Sequence, residues 1–235
     1  MESHRLILAA ILSGVLALER KAFLQAMLAR PLVAGALLGY VLGHPVEGLA
    51  TGAALELFFL GAVNLGAALP DNELFASVAA VACACELAPH HPLTLPASLA
   101  CATLLALPAA KLGKVADRLS ERLNGWVASR AEGGGDGRHI RAGLRHNLYG
   151  LWLPFVAAAL ACLLGTVVGG AIVPALHAWA PATLGRGLAM AWAAFLIVSA
   201  AAAARTARTA HAFVWTVLAA VVSAGAQALG LLEAG

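Results

Sequence analysis

A carboxylate at position 56 stands in the run Thr51-Gly-Ala-Ala-Leu-Glu-Leu-Phe-Phe-Leu-Gly61, with no cation near it in the chain. Keeping a charge inside such an apolar segment costs about 2.5–3.5 kcal/mol on insertion scales, so a retained one invites a functional reading. Asn64 follows two helical turns later, about 80° around the axis if the helix continues, so Glu56 and Asn64 can face one cavity. Asp71, Asn72 and Glu73 then crowd a break at Pro70. Carboxylates and carboxamides converging at a helix break suit a polyhydroxylated ligand, because each can exchange hydrogen bonds with neighbouring hydroxyls. A purely structural account stands beside this one. Glu56 is then neutral or satisfied by an adjacent helix, and Asp71-Asn72-Glu73 is a loop or a helix cap.

Other polar residues carry weaker signals. Glu86 and His90 are four apart, but Pro89 interrupts any helix that would pair them. Arg205, Arg208 and His211 interrupt the last apolar region, either in a surface loop or as buried cations for a carboxylate such as Glu56. Cys83, Cys85, Cys101 and Cys162 all lie in apolar stretches. Cys83 and Cys85 point about 200° apart on a helix, so they read as small buried hydrophobes rather than metal ligands. No nucleophile elbow, phosphate loop or metal-ligand spacing is visible, so the sequence predicts neither catalysis nor a cofactor.

The elements that must position these groups are membrane helices. Of 235 residues, 61% are hydrophobic and 11% charged, with a mean hydropathy of +0.85. Soluble domains carry about 25% charged residues. So much apolar surface exceeds what a core of this size can hide, and lipid is the solvent that accepts the excess. Apolar runs cover Leu6–Leu18, Pro31–Pro45, Val46–Leu69, Asn72–Leu87 and Pro92–Ala110. The run Leu6–Leu18 lacks a convincing cleavage site and is expected to stay in the mature chain. Gly35, Gly39 and Gly43, and then Gly48 and Gly52, repeat every four residues, the pattern that lets two helix backbones approach closely in lipid.

From Lys111 to Arg145 positive charges gather, which marks a cytoplasmic stretch by the positive-inside rule. They are too mixed with Asp117, Glu121, Glu132 and Asp136 to suggest nucleic acid. Leu112, Val115, Leu119, Leu123 and Trp126 share one face there, predicting an amphipathic helix in the membrane surface, followed by the Gly133–Gly137 linker. The stretch from His146 to Gly185 is free of charge and long enough for two crossings, or for one crossing and a re-entrant piece. Gly187–Ala204 and Thr209–Leu232 make two more. The expectation is an all-α polytopic membrane protein of about six to eight segments, some broken or re-entrant. Its divisions are a membrane half over 1–110, a basic loop and linker over 111–147, and a second membrane half over 148–235.

Three motif-bearing stretches carry a family resemblance. Arg30-Pro-Leu-Val-Ala-Gly-Ala-Leu-Leu-Gly-Tyr-Val-Leu-Gly43, then Thr51-Gly-Ala-Ala-Leu-Glu56 and Leu60-Gly-Ala-Val-Asn-Leu-Gly-Ala-Ala68, resemble the IIC subunit of the mannose-family phosphotransferase system. The match covers roughly residues 5–80. It implies a permease subunit, not an enzyme, in the inner (plasma) membrane. There a IIC subunit and a IID partner bind a hexose, and cytoplasmic IIA and IIB subunits phosphorylate the sugar as it enters. It further implies a hetero-oligomer in which Glu56, Asn64 and the Pro70-Asp71 region contact sugar or brace the helices that do. His44 stands where the family usually has Asp, Val63 replaces the usual Met, and Pro70-Asp71 comes one residue early, so Asn72 can occupy the family's Asp position. A scaffold or sensory subunit of the same descent, and an unrelated permease acting alone, are the competing readings.

Overall fold

The structure is a computed structural model and describes residues 2–21, 25–60, 71–88, 95–131, 137–179, 182–206 and 214. Seven α-helices and no strand occur among them: α1 (Ser3–Lys21), α2 (Pro31–Leu42), α3 (Pro45–Leu60), α4 (Glu73–Leu87), α5 (Leu95–Ala131), α6 (Gly137–Trp179) and α7 (Ala182–Thr206). The all-helical expectation holds, and backbone chemistry explains why. In lipid every N–H and C=O must find a partner within the protein, which a helix achieves along its own length.

Local sequence places the ends. Pro31 and Pro45 occupy first helical positions, where the missing N–H costs nothing. Gly43 closes α2 with φ of 86°, a left-handed conformation, and its N–H reaches back to the carbonyls of Gly39 and Tyr40. The glycine ladder divides in role accordingly: Gly43 is a cap, and the others form a contact. A Cβ on Gly35 would lie 2.6 Å from the Gly48 carbonyl oxygen, and one on Gly39 would lie 2.8 Å from the Gly48 Cα. The two helices therefore form a hairpin whose arms touch through backbone, as the small-residue spacing predicts.

Among the described residues, three helices are long and apolar enough to cross a membrane: Pro96–Trp126 within α5, Gly150–Pro174 within α6 and Leu184–Ala204 within α7. Two expectations change here. The charge-free stretch from His146 to Gly185 runs as one helix through Pro154 and Pro174 as far as Trp179, and its last residues, Ala182–Gly185, open α7. The amphipathic stretch 112–126 is the continuation of α5 past Pro108, so the expected boundary between 110 and 111 falls inside an unbroken helix. The segment expected at Thr209–Leu232, like Arg208 and His211, lies outside the described residues apart from Val214.

Helix α4 is the centre of the bundle, with every residue from Leu74 to Cys85 buried. Helix α6 crosses it closely, Gly165 lying against the Ala79 carbonyl and Gly169 against Cys83. Leu16, Leu38, Leu42, Val78, Val81 and Cys162 join α1, α2, α4 and α6 in one core. A second cluster around Leu87, Leu99 and Trp192 attaches α5 and α7. Cys83, Cys85 and Cys162 are buried free thiols, as their apolar surroundings suggest, and Cys101 is partly exposed.

Candidate functional site

Glu56, Glu73, Asn72 and Asp117, with their cationic partners, gather in one layer at one end of the bundle. The C-terminus of α1, the N-termini of α2 and α4, the last turns of α3 and the middle of α5 meet there. The opposite end is marked by the hairpin tip, where the Cys85 thiol donates to the His44 carbonyl at 3.8 Å.

Arg30 is the hub of the layer. Its Nη2 lies 2.7 Å from Glu56 Oε1, and its Nη1 lies 3.4 Å from Glu73 Oε2. One guanidinium thus links the hairpin to α4, using the fork that suits it to two carboxylates at once. The other Glu56 oxygen accepts the Leu32 N–H at 3.3 Å, one of the donors that the start of α2 leaves free. Glu56 does therefore have a cation, distant in sequence and adjacent in space. Arg205, the alternative partner considered for it, lies in the last turn of α7.

The loop that presents Arg30 is held by a buried acid. Glu19, 1% exposed, accepts the Ala29 N–H at 3.1 Å, and its second oxygen is buried without a hydrogen bond among the described residues. Two side-chain-bearing residues of this loop, Gln25 (φ 47°) and Met27 (φ 63°), adopt the left-handed conformation. Non-glycine residues rarely adopt it without surrounding structure to impose it.

A second group of charges lies on α5. Asp117, 6% exposed, meets Lys21 Nζ at 2.5 Å and Arg20 Nη1 at 3.7 Å. Asn72 donates its amide to Asp117 Oδ2 at 2.8 Å, while its carbonyl oxygen accepts the Phe75 N–H at 3.1 Å and caps α4. Asp71 is largely exposed and pairs with Lys114 Nζ at 3.3 Å.

Four of the five expected site residues, Glu56, Asp71, Asn72 and Glu73, thus fall in this layer. Asn64 lies outside the described residues. Asn72 has both ends of its carboxamide engaged within the protein, as the cap reading foresaw. Arg30, Glu19 and Asp117 were not singled out from sequence. Arg30 entered only as the start of a motif, and Asp117 as one acid in a charged stretch. The Glu19-Arg20-Lys21 cluster at the end of an apolar run was the available signal. Glu86, at the other end of α4, has a buried oxygen without a hydrogen bond among the described residues, and its proposed partner His90 lies outside them.

Replacing Asn72 by alanine should remove the α4 cap and leave the Asp117 carboxylate short of a donor. A cap is worth about 1 kcal/mol and a hydrogen bond to a charged group about 1.5–3 kcal/mol. The expected outcome is a clear fall in the melting temperature of the detergent-solubilised protein. An unchanged melting temperature would show that the cap and the bond contribute nothing.

Solved structures share this architecture. One, described as a membrane protein, superposes with a TM-score of 0.68 at 22% identity, over 99% of this chain and 93% of its own. The cryo-EM structure of the mannose transporter ManYZ with microcin E492 superposes with a TM-score of 0.60 at 22% identity, over 95% of this chain and 87% of its own. At that identity the likeness establishes the fold. No curated protein matches the chain by sequence. A family model does, over residues 4–231, that of the sorbose-specific IIC component of the phosphotransferase system. The match spans both glycine helices, the polar layer and the long helices α5 to α7, and by it the chain belongs to the sorbose-type IIC family, an integral membrane transport component of that system.

Proposed function

We propose that the chain binds a hexose and translocates it across the inner membrane together with a IID partner, for phosphorylation by a cytoplasmic IIB subunit that IIA recharges. The observation that carries this reading is the layer in which Arg30 joins Glu56 to Glu73 where α2, α3 and α4 converge. Hydroxyls can compete for charge-assisted hydrogen bonds of this kind, so a sugar entering the layer exchanges partners with Arg30 rather than meeting bare charges. Glu56 and Glu73 take sugar hydroxyls in this account, with the exposed Asp71 at the rim. Asn64 belongs to the same site by its place in the motif. Asn72 supports it by fixing the start of α4. Phosphoryl transfer belongs to the cytoplasmic partners, so this chain supplies recognition and passage.

Placing the polar layer and the basic continuation of α5 on the cytoplasmic side follows the positive-inside rule. The chain is then multi-pass, and sugar bound in the layer is positioned for a cytoplasmic phosphoryl donor.

The test is binding of labelled hexoses to the chain co-expressed with its candidate IID partner, native against Glu56→Gln and Asn64→Ala. Saturable binding that drops at least tenfold in both variants is expected. A well-folded native complex that binds no hexose would overturn the transport reading and leave a membrane scaffold or sensory subunit as the better account.

A further inference from the structure

The second half of α5 presents two different sides. On the inner side a Cβ at Gly113 would sit 2.6 Å from Asn72 Cβ, and Asp117 and Ser120 are buried. On the outer side Leu112, Val115, Leu119, Leu123 and Trp126 are each between 43% and 61% exposed. At about 100° per residue these five fall within a sector of roughly 80°, turned well away from the buried face. Lys111, Arg118 and Arg122 are exposed and form a narrow strip along one edge of that sector, with no carboxylate partner among the described residues. Lys114, by contrast, faces Asp71 and is occupied.

The preceding turns of the helix carry exposed apolar residues as well, on the side of the cationic strip. Leu104 is 71% and Leu107 51% exposed on the preceding turns of the same helix, within the membrane-compatible stretch Pro96–Trp126. That stretch has 31 residues, about 46 Å at 1.5 Å per residue, against a hydrocarbon core of about 30 Å. The helix outruns the hydrocarbon, and its outer turns reach the headgroup layer, with a tryptophan at the end as at other membrane interfaces. We infer that the α5 stripe lies in the cytoplasmic headgroup layer and that Lys111, Arg118 and Arg122 hold the phosphates of anionic phospholipids there. Apolar contact alone would not select a lipid. The strip of exposed cations beside it does, because basic residues at an anionic surface each contribute about a factor of five in affinity. The inference depends on the orientation proposed above but not on any sugar being carried.

The experiment uses the full chain, with its partner where the two are made together, and two readouts. Native mass spectrometry of the detergent-solubilised protein titrated with phosphatidylglycerol measures affinity, with phosphatidylcholine as the control. Labelling of a Leu119→Cys variant by a membrane-impermeant maleimide, in vesicles of phosphatidylcholine with one quarter phosphatidylglycerol, measures burial in the membrane against the native cysteine background. The expected results are preferential phosphatidylglycerol binding, protection of position 119, and a loss of binding of about 10- to 100-fold in the triple variant Lys111→Gln, Arg118→Gln, Arg122→Gln. The charge-preserving variant Lys111→Arg, Arg118→Lys, Arg122→Lys should keep most of the affinity, which separates charge from misfolding. Equal binding of both lipids, or unchanged affinity in the triple glutamine variant, overturns the inference. So does position 119 labelling freely in vesicles and becoming protected only when a cytoplasmic protein is added, which would assign the stripe to that protein.

Discussion

Replacing Gly48 with valine should abolish assembly of the membrane domain. A Cβ at that position would lie 2.5 Å from both the Gly35 carbonyl oxygen and the Gly39 Cα. These are backbone atoms, which cannot turn aside as a side chain would. Valine adds two methyl groups beyond that Cβ, so α2 and α3 must separate along their contact. Overpacking typically costs 1–3 kcal/mol and sometimes more, and a backbone-to-backbone site belongs at the upper end, about 3 kcal/mol or above. Separation would also displace Arg30 and Glu56, which sit on the two arms. Size-exclusion of a fluorescent fusion should show the monodisperse fraction falling to near zero for Gly48→Val, with Gly48→Ala intermediate. Native behaviour of the valine variant would mean that the arms do not touch as described.

Replacing Arg30 with methionine should weaken the fold and remove sugar uptake together. Truncating one partner of a buried ion pair costs about 3–5 kcal/mol, because the other charge stays behind without compensation. Arg30 is about one-third exposed, with its side chain at 35%, so water recovers part of that loss and about 2 kcal/mol is the reasonable expectation. Two carboxylates, Glu56 and Glu73, would then face each other without the guanidinium between them. Adding Glu56→Gln to Arg30→Met should restore part of the stability, since it removes one of the two stranded charges and relieves the repulsion on Glu73. It should not restore uptake, because the carboxylate assigned to the sugar is gone. A double-mutant cycle on melting temperature reads the first effect, and labelled hexose uptake in cells lacking other carriers reads the second. Additive losses in the cycle would show that Arg30 and Glu56 act independently.

The helices were largely legible from apolar runs and their punctuation. Pro31 and Pro45 open α2 and α3, and α4 ends at Leu87, ahead of Pro89 in the sequence, because proline cannot donate within a helix interior. Glycine spacing announced the hairpin contact because closeness in lipid requires small residues. Two boundaries were illegible for physical reasons. A change from apolar to charged composition does not end a helix when the residues involved, such as Leu112, Lys114, Ala116 and Arg118, are themselves good helix formers. Nor do Pro108, Pro154 and Pro174 end α5 and α6, since a long helix packed against neighbours tolerates the loss of a single bond.

The site was legible by residue type more than by partnership. Glu56 stood out because an acid in apolar sequence is costly. Its partner, and the partner of Glu73, is a tertiary fact carried by Arg30 from another helix. Asp117 was hidden among the charges of its own stretch, although on α5 it turns inward while Arg118 and Arg122 turn out.

The ion-paired groups of the polar layer carry an electrical consequence. Glu56, Asp71, Glu73 and Asp117 face Arg20, Lys21, Arg30 and Lys114, four acids against four bases, and the buried Glu19 adds a fifth acid to the layer. Moving a unit charge through the full membrane voltage changes its energy by about 2.3 kcal/mol per 100 mV. Ion-paired groups that move together carry no net charge of their own, so any response of the layer to membrane voltage would rest on Glu19.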